Sequence, residues 1–142
     1  MHKVSDILAR KGHTVINVLP DTTVLAALQL MAEKNIGSVA VMENGNYMGI
    51  VTERDYSRKV ILKGKHSDDT PVSEIMSEDL PDIRPSDSIE LCMSLMTQKN
   101  IRYLPVFDQD SLCGIISMSD VVREIITSQK ETINYLESYI HS

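Results

Sequence analysis

The chain has 142 residues, 42% of them hydrophobic and 24% charged, with 20 acidic against 14 basic residues for a formal charge of -6. That composition supports a hydrophobic core and excludes a disordered or collagen-like chain, and the acidic balance repels a phosphate backbone, so nucleic acid is not an expected partner. No apolar run reaches the length of a membrane span, and the start Met1-His2-Lys3-Val4-Ser5-Asp6 lacks the apolar core of a secretory signal, so a cytoplasmic protein with no membrane contact is expected.

In chain order, an opening turn around Val4-Ser5-x-Ile7 leads to a first strand, Val15-Ile16-Asn17-Val18. Thr22 stands where a helix N-cap is wanted, and Val24, Ala27, Leu28 and Met31 fall on one helical face. Ser38 to Met42 and Tyr47 to Val51 read as strands around the polar turn Glu43-Asn44-Gly45-Asn46, which predicts a hairpin. A helix follows from about Glu53 to Lys63 with Gly64 as its C-cap. Lys65 to Thr70 is a polar linker, and Pro71 enters a second short turn, Val72-Ser73-Glu74-Ile75-Met76. The run Leu80-Pro81-Asp82-Ile83 then stands where the first strand stood. Asp87, with Glu90 three residues later, predicts a capping box for a helix whose apolar face is Ile89, Cys92, Met93 and Met96. Tyr103 to Phe107, the turn Asp108-Gln109-Asp110-Ser111, Leu112 to Ile116 and a helix from Met118 complete the pattern.

That pattern is a duplication. Slid by 65 positions, Leu30-Met31 falls on Leu95-Met96, Lys34-Asn35-Ile36 on Lys99-Asn100-Ile101, Gly49-Ile50 on Gly114-Ile115 and Asp55 on Asp120. The opening turns match at an offset of 68, which puts a three-residue length difference in the loop between each turn and its first strand. The expected division is residues 1–64 as repeat 1, 65–71 as linker, 72–128 as repeat 2 and 129–142 as a C-terminal helical extension. In that last helix Val122, Ile126, Ile133, Leu136 and Ile140 lie at a and d spacing, interrupted by Gln129. The stripe packs either on its own domain or in a dimer seam, and because it outruns the equivalent helix of repeat 1 a homodimer is expected.

Each hairpin ends in one phrase: Gly49-Ile50-Val51-Thr52-Glu53-Arg54-Asp55, then Gly114-Ile115-Ile116-Ser117-Met118-Ser119-Asp120. Thr52-x-x-Asp55 and Ser117-x-x-Asp120 are helix-capping patterns, yet a hydroxyl and a carboxylate at a strand's C-terminal end also accept hydrogen bonds from ribose hydroxyls, and the two roles coexist. Catalytic machinery is not expected. His2, His13, His66 and His141 are scattered, Asp68-Asp69 and Glu78-Asp79 fall in turns, and no glycine-rich phosphate loop exists, so the reading is no enzyme and no metal site. Cys92 and Cys113 lack Cys-x-x-Cys spacing; Cys92 reads as a small buried hydrophobe and Cys113 as partly exposed.

The doubled Gly-hydrophobic-x-Thr/Ser-x-x-Asp phrase, each copy preceded by a strand such as Ile101-Arg102-Tyr103-Leu104-Pro105-Val106, resembles tandem cystathionine-β-synthase (CBS) domains forming a Bateman module, over nearly the whole chain. Met31-Ala32-Glu33-Lys34-Asn35-Ile36-Gly37 and Glu53-Arg54-Asp55-Tyr56 resemble the small stand-alone bacterial members. The resemblance implies a mixed α/β (α+β) fold of two pseudo-twofold β-α-β-β-α repeats, with clefts for AMP, NAD, ADP, ATP or S-adenosylmethionine and with no catalytic cofactor. It implies one cleft built from Thr52 and Asp55 with Arg102, Tyr103 and Leu104, and another from Ser117 and Asp120 with Thr14, Val15, Ile16, Gly37, Ser38 and Val39. Ile16, Ile50 or Ile115 would cover the adenine. Arg54, Arg58 and Arg102 are the candidate phosphate partners, Arg102 lying beside a strand expected to be buried, and Lys11 and His13 precede the first strand within reach of a phosphate. Arg54 and Arg102 favour a phosphorylated ligand over the sulfonium compound, and with the resemblance they imply AMP or NAD first. The implied function is an adenine-nucleotide sensor that changes conformation or partner binding and acts through an unidentified effector protein. The alternative is a ligand-independent dimeric scaffold.

Overall fold

The structure, a computed structural model, describes residues 2–141 except the side chain of His141; Met1 and Ser142, the outermost residues of the expected division, lie outside the described residues. Its elements are α1 (Val4–Lys11), β1 (Asn17–Val18), α2 (Val24–Lys34), β2 (Ser38–Glu43), β3 (Asn46–Thr52), α3 (Glu53–Lys59), α4 (Ile89–Lys99), β4 (Tyr103–Asp108), β5 (Ser111–Ser117) and α5 (Met118–His141), with short 3-10 turns at Ile61–Lys63 and Val72–Glu74. From α2 to the start of α3 every boundary recurs 65 residues later, so the repeat seen in sequence is a repeat of structure.

The local chemistry explains the repeated motifs. Asn35 and Asn100 end α2 and α4 in the left-handed conformation, at φ 55° and 53°, a backbone region that asparagine tolerates better than most residues. Both hairpins close with two residues at positive φ, Asn44-Gly45 and Gln109-Asp110. This turn geometry matches the twist of the flanking strands.

Two compact units result, one formed by Met1–His13 with Pro81–Ser142 and the other by Thr14–Leu80. Each holds the body of one copy and the opening segment of the other. In the first unit Val4, Ile7 and Leu8 of α1 are buried with Ile89, Cys92, Met96, Leu104, Val106 and Ile116. In the second, Val72 and Ile75 are buried with Val24, Ala27, Met31, Val39, Val41 and Val51. The exchange repeats bond for bond: Val4 N donates to Asp87 O and Ser5 N to Pro85 O, as Val72 N donates to Thr22 O and Ser73 N to Pro20 O. The compact units therefore divide the chain at different points from the sequence repeat.

Several elements differ in detail from the sequence expectations. The N-caps are Thr23 and Ser88, whose hydroxyls accept from Ala26 N and Leu91 N at 3.1 Å, one residue after Thr22 and Asp87. Thr22 is used by its backbone carbonyl, and the Asp87 carboxylate takes Arg84 N at 2.8 Å in the preceding turn. α3 stops at Lys59, because Val60, fully buried, leaves helical geometry (φ -114°, ψ -71°), and Gly64 (φ 70°) closes the 3-10 turn that follows. The first opening segment is an eight-residue helix rather than a turn.

The first strand is only Asn17–Val18, pairing in parallel with β2, which pairs antiparallel with β3. Its counterpart shrinks to one parallel bridge, Ile83 to Val106, beside the β4–β5 hairpin. Ala40 N donates to Ile16 O at 3.0 Å in the first copy. Pro105 holds the matching position in the second and has no N–H to give, so the ladder loses a rung there.

Gly49 and Gly114 explain themselves by packing. A Cβ on Gly49 would lie 2.7 Å from the Ser77 carbonyl oxygen, and one on Gly114 would lie 2.6 Å from a Leu8 methyl. Backbone cannot retreat as a leucine methyl can. Gly49→Ala is thus expected to cost about 2–3 kcal/mol in urea unfolding and Gly114→Ala about 1 kcal/mol; equal costs at the two positions would contradict this packing account.

Candidate functional site

The two repeated phrases sit where a strand runs directly into a helix, and each unit fixes its own. In the unit built on the first copy, Thr52 N donates to Asp55 Oδ2 at 2.9 Å and Asp55 N donates to Thr52 Oγ1 at 3.1 Å. The Thr52 hydroxyl also donates to Asp55 Oδ2 at 3.0 Å. Glu53 N bonds Gly37 O, and Thr52 faces Ser38 across the ladder, which brings Gly37 and Ser38 to the same end of the sheet. Lys59, one turn after Asp55, reaches Asp55 Oδ1 at 3.1 Å and the Ile75 carbonyl at 2.8 Å.

The other unit repeats the arrangement with its own residues. Ser117 N donates to Asp120 Oδ2 at 2.8 Å, Asp120 N to Ser117 Oγ at 3.1 Å and Met118 N to Arg102 O at 2.8 Å, and Ser117 faces Tyr103. The cation has a different origin. Lys59 is replaced at the matching position by Glu124, a like charge one turn from Asp120, so the ammonium comes from α1: Lys11 Nζ lies 2.7 Å from both Asp120 Oδ2 and the Ile115 carbonyl. Arg123 adds a contact to Asp120 Oδ1 at 3.3 Å. Burial works to raise the Asp120 pKa, but the Lys11 ammonium and the Ser117 donors outweigh it and hold the carboxyl below its ordinary 3.8.

Ile7, Arg10, Lys11, Asp120, Arg123, Glu124 and Thr127 line an open pocket of about 550 Å³ beside this junction. Arg10 and Arg123 were not singled out from sequence. Arg123 stands 65 positions after Arg58, so the repeat carried a signal for it; Arg10 is known only once α1 is placed against α5. The remaining expected positions fall as follows. Thr14, Val15 and Ile16 precede β1 rather than lying in it, with Thr14 exposed and the Ile16 carbonyl bonded to Ala40 N. Val39 and Leu104 point into the cores of their units, and Ile50 is fully buried while Ile115 is partly exposed. Arg54 is half-buried and Arg58 exposed. Arg102 is exposed as well, because it precedes β4 instead of entering it. Cys92 is buried where the first copy has Ala27, and its thiol is pushed up to about 12 by burial and by Asp87, which leaves it a small hydrophobe; Cys113, partly exposed, is also raised by burial.

Residues 4–61 and again 72–127 match the CBS domain family. The chain belongs to that family, as a tandem pair. It is 34% identical over 146 residues, 96% of the chain and 71% of the relative, to the mitochondrial CBS domain-containing protein CBSX3 of Arabidopsis thaliana. It is 36% identical to the CBS domain-containing protein YhcV of Bacillus subtilis, covering 85% of the chain and 84% of the relative. Among solved structures, a protein described as a signal-transduction protein with CBS domains, from Burkholderia ambifaria MC40-6, superposes with a TM-score of 0.86 at 42% identity, covering 90% of this chain and 96% of that one. Relatives so named belong to a family that is regulatory and ligand-binding rather than catalytic. No helix among the described residues is long and apolar enough to cross a membrane.

The lysine contact makes a prediction about acid stability. Since the folded pKa of Asp120 lies below its unfolded value, its contribution to stability is present above pH 3.8 and is lost as pH falls through the folded pKa. Lys11→Met is expected to lose about 1 kcal/mol near neutral pH, the size allowed by a half-exposed ammonium. Urea midpoints of the two proteins should converge in acid, and a difference that persists unchanged at low pH would mean that Lys11 acts through packing alone.

Proposed function

We propose that the chain is a cytoplasmic regulatory module that binds an adenine nucleotide, AMP or NAD before ADP or ATP, and passes the binding event to a partner protein. The observation that carries this reading is the doubled strand-to-helix junction. Each copy brings a hydroxyl and a carboxylate together there, with a lysine against each carboxylate, in a chain of a ligand-binding family. The vicinal hydroxyls of a ribose are donors, and Asp55 and Asp120 are the acceptors that suit them. Lys11, Arg10 and Arg123 line an open pocket beside Asp120, which favours a phosphorylated ligand over a sulfonium one. Arg54, Arg58 and Arg102 supply further guanidinium groups, and Gly37, Ser38, Arg102 and Tyr103 offer backbone at the sheet ends for an adenine edge. Binding that favours one arrangement of the chain shifts the population an effector meets, which is signalling without chemistry of its own.

A ligand-independent scaffold is the second reading. It is favoured by the capping boxes, which already satisfy Thr52, Asp55, Ser117 and Asp120 locally. Isothermal titration with AMP, NAD, ADP, ATP and S-adenosylmethionine separates the two. The sensor reading expects saturable heat with a phosphorylated ligand, weakened at least about tenfold by Asp55→Asn or Asp120→Asn in protein that remains folded at the titration temperature. Silence with every adenine ligand would leave the scaffold.

The same module pairs with a second copy through α5. Val122, Ile126, Ile133, Leu136 and Ile140 are exposed at 41%, 47%, 53%, 51% and 74%, an uncovered stripe at alternating four- and three-residue spacing with Gln129 in the remaining position. Such a stripe with isoleucines in one position and leucine in the other suits a two-stranded coiled coil. Sedimentation should give a dimer at micromolar concentration and a monomer for Leu136→Glu; a monomeric parent chain would remove this interface.

A further inference from the structure

The segment before α1 meets α5 at a group of side chains that the nucleotide reading does not use. Backbone bonds hold the segment in place: Ile89 N donates to His2 O, and Val4 N to Asp87 O. The imidazole of His2 lies between two acidic residues of α5, with Nδ1 against Glu124 Oε2 and Nε2 2.8 Å from Glu131 Oε2. Glu124 and Glu131 are seven residues apart and so share one helix face. Glu124 is 2% exposed, and its other oxygen takes Arg10 at 2.6 Å. Asp6 stands beside them. Donor atoms of His2, Asp6 and Glu124 all lie within 4.8 Å of one another.

Charge and tautomer both call for a cation here. Asp6, Glu124 and Glu131 carry three negative charges, Arg10 returns one, and the nearby Lys11 and Arg123 are engaged by Asp120. A neutral His2 leaves the cluster at -2. If Nε2–H donates to Glu131, the Nδ1 lone pair faces a carboxylate lone pair, an opposition relieved only by a proton or a metal ion between them.

We propose that His2 Nδ1, the Glu124 carboxylate and the Asp6 carboxylate bind a divalent transition-metal ion, with Zn²⁺ the fitting ion, and that Glu131 holds the second imidazole nitrogen from outside. One nitrogen and two carboxylates form a zinc-type donor set, whereas Ca²⁺ and Mg²⁺ prefer oxygen alone. Zinc–ligand bonds of about 2.0–2.2 Å ask for donors roughly 3.4 Å apart. His2 and Glu124 would then separate slightly and Asp6, whose Oδ2 accepts from Lys3 N at 2.8 Å, would draw in. A carboxylate on the remote nitrogen of a ligating histidine fixes its tautomer, the place Glu131 occupies. A bound ion would pin the segment before α1 to α5, independently of any nucleotide.

The test uses the full chain without an affinity tag, stripped with chelator. Zn²⁺ is titrated against a chromophoric chelator, and Co²⁺ serves as a spectroscopic substitute. The expected result is one ion per chain, visible Co²⁺ absorption displaced by Zn²⁺, and a melting temperature raised by Zn²⁺. His2→Ala and Asp6→Asn should each weaken binding at least about tenfold in protein whose metal-free far-UV spectrum shows it folded at the titration temperature, Glu131→Gln should weaken it less, and His66→Ala should leave it unchanged. Substoichiometric binding at 100-fold excess over protein, or full binding in both His2→Ala and Asp6→Asn, would overturn the assignment.

Discussion

The approach of each opening segment to a glycine on the body of the other copy is the constraint on which the remainder of the fold depends. At Gly49 the neighbour is the backbone of Ser77, which exchanges hydrogen bonds in both directions with Ile50; at Gly114 it is Leu8 of α1. A side chain at Gly49 would press on that backbone, while one at Gly114 would displace the Leu8 methyl. Val4, Ile7 and Leu8 in one core, and Val72 and Ile75 in the other, pack where these glycines leave room. The same phrases that begin with these glycines end in Asp55 and Asp120, so close packing and the proposed ligand-binding chemistry share one seven-residue phrase in each copy.

Duplication has allowed the two copies to solve one electrostatic problem in two ways. A buried carboxylate at the first turn of a helix needs compensating charge. Asp55 obtains it from Lys59 on its own helix. Asp120 has Glu124 one turn on and obtains it from Lys11, more than a hundred residues away in sequence. Glu124, released from that role, is buried and anchors Arg10 and His2. The exchange of opening segments makes this possible, since it brings α1 against α5.

Local chemistry was legible in the sequence and long-range placement was not. The hairpins are legible to within a residue because Asn44-Gly45 and its counterpart are turn residues flanked by apolar strands, and α2 and α4 are legible from their periodicity. The caps were misplaced by one because Thr22-Thr23 and Asp87-Ser88 each offer two capping side chains in succession, and only the backbone decides between them. An offset of 68 in the opening turns revealed a loop of different length but not where the turns pack. For that reason the partners of His2, Arg10 and Lys11, all on α5 or just before it, were invisible. Arg102 looked buried from its neighbours; a strand's pattern says nothing of the residue just outside it.

The exchanged segments also impose an order on synthesis. Residues 14–80 are continuous, and the unit they form can close while later sequence is still being translated. The other unit needs α1 and α5 together. Its first piece emerges from the ribosome ahead of residues 14–80, with Val4, Ile7 and Leu8 exposed, and waits for a sheet and helix made after them. Helix α1 is thus made before any of its partners and is among the last elements of the two units to pack.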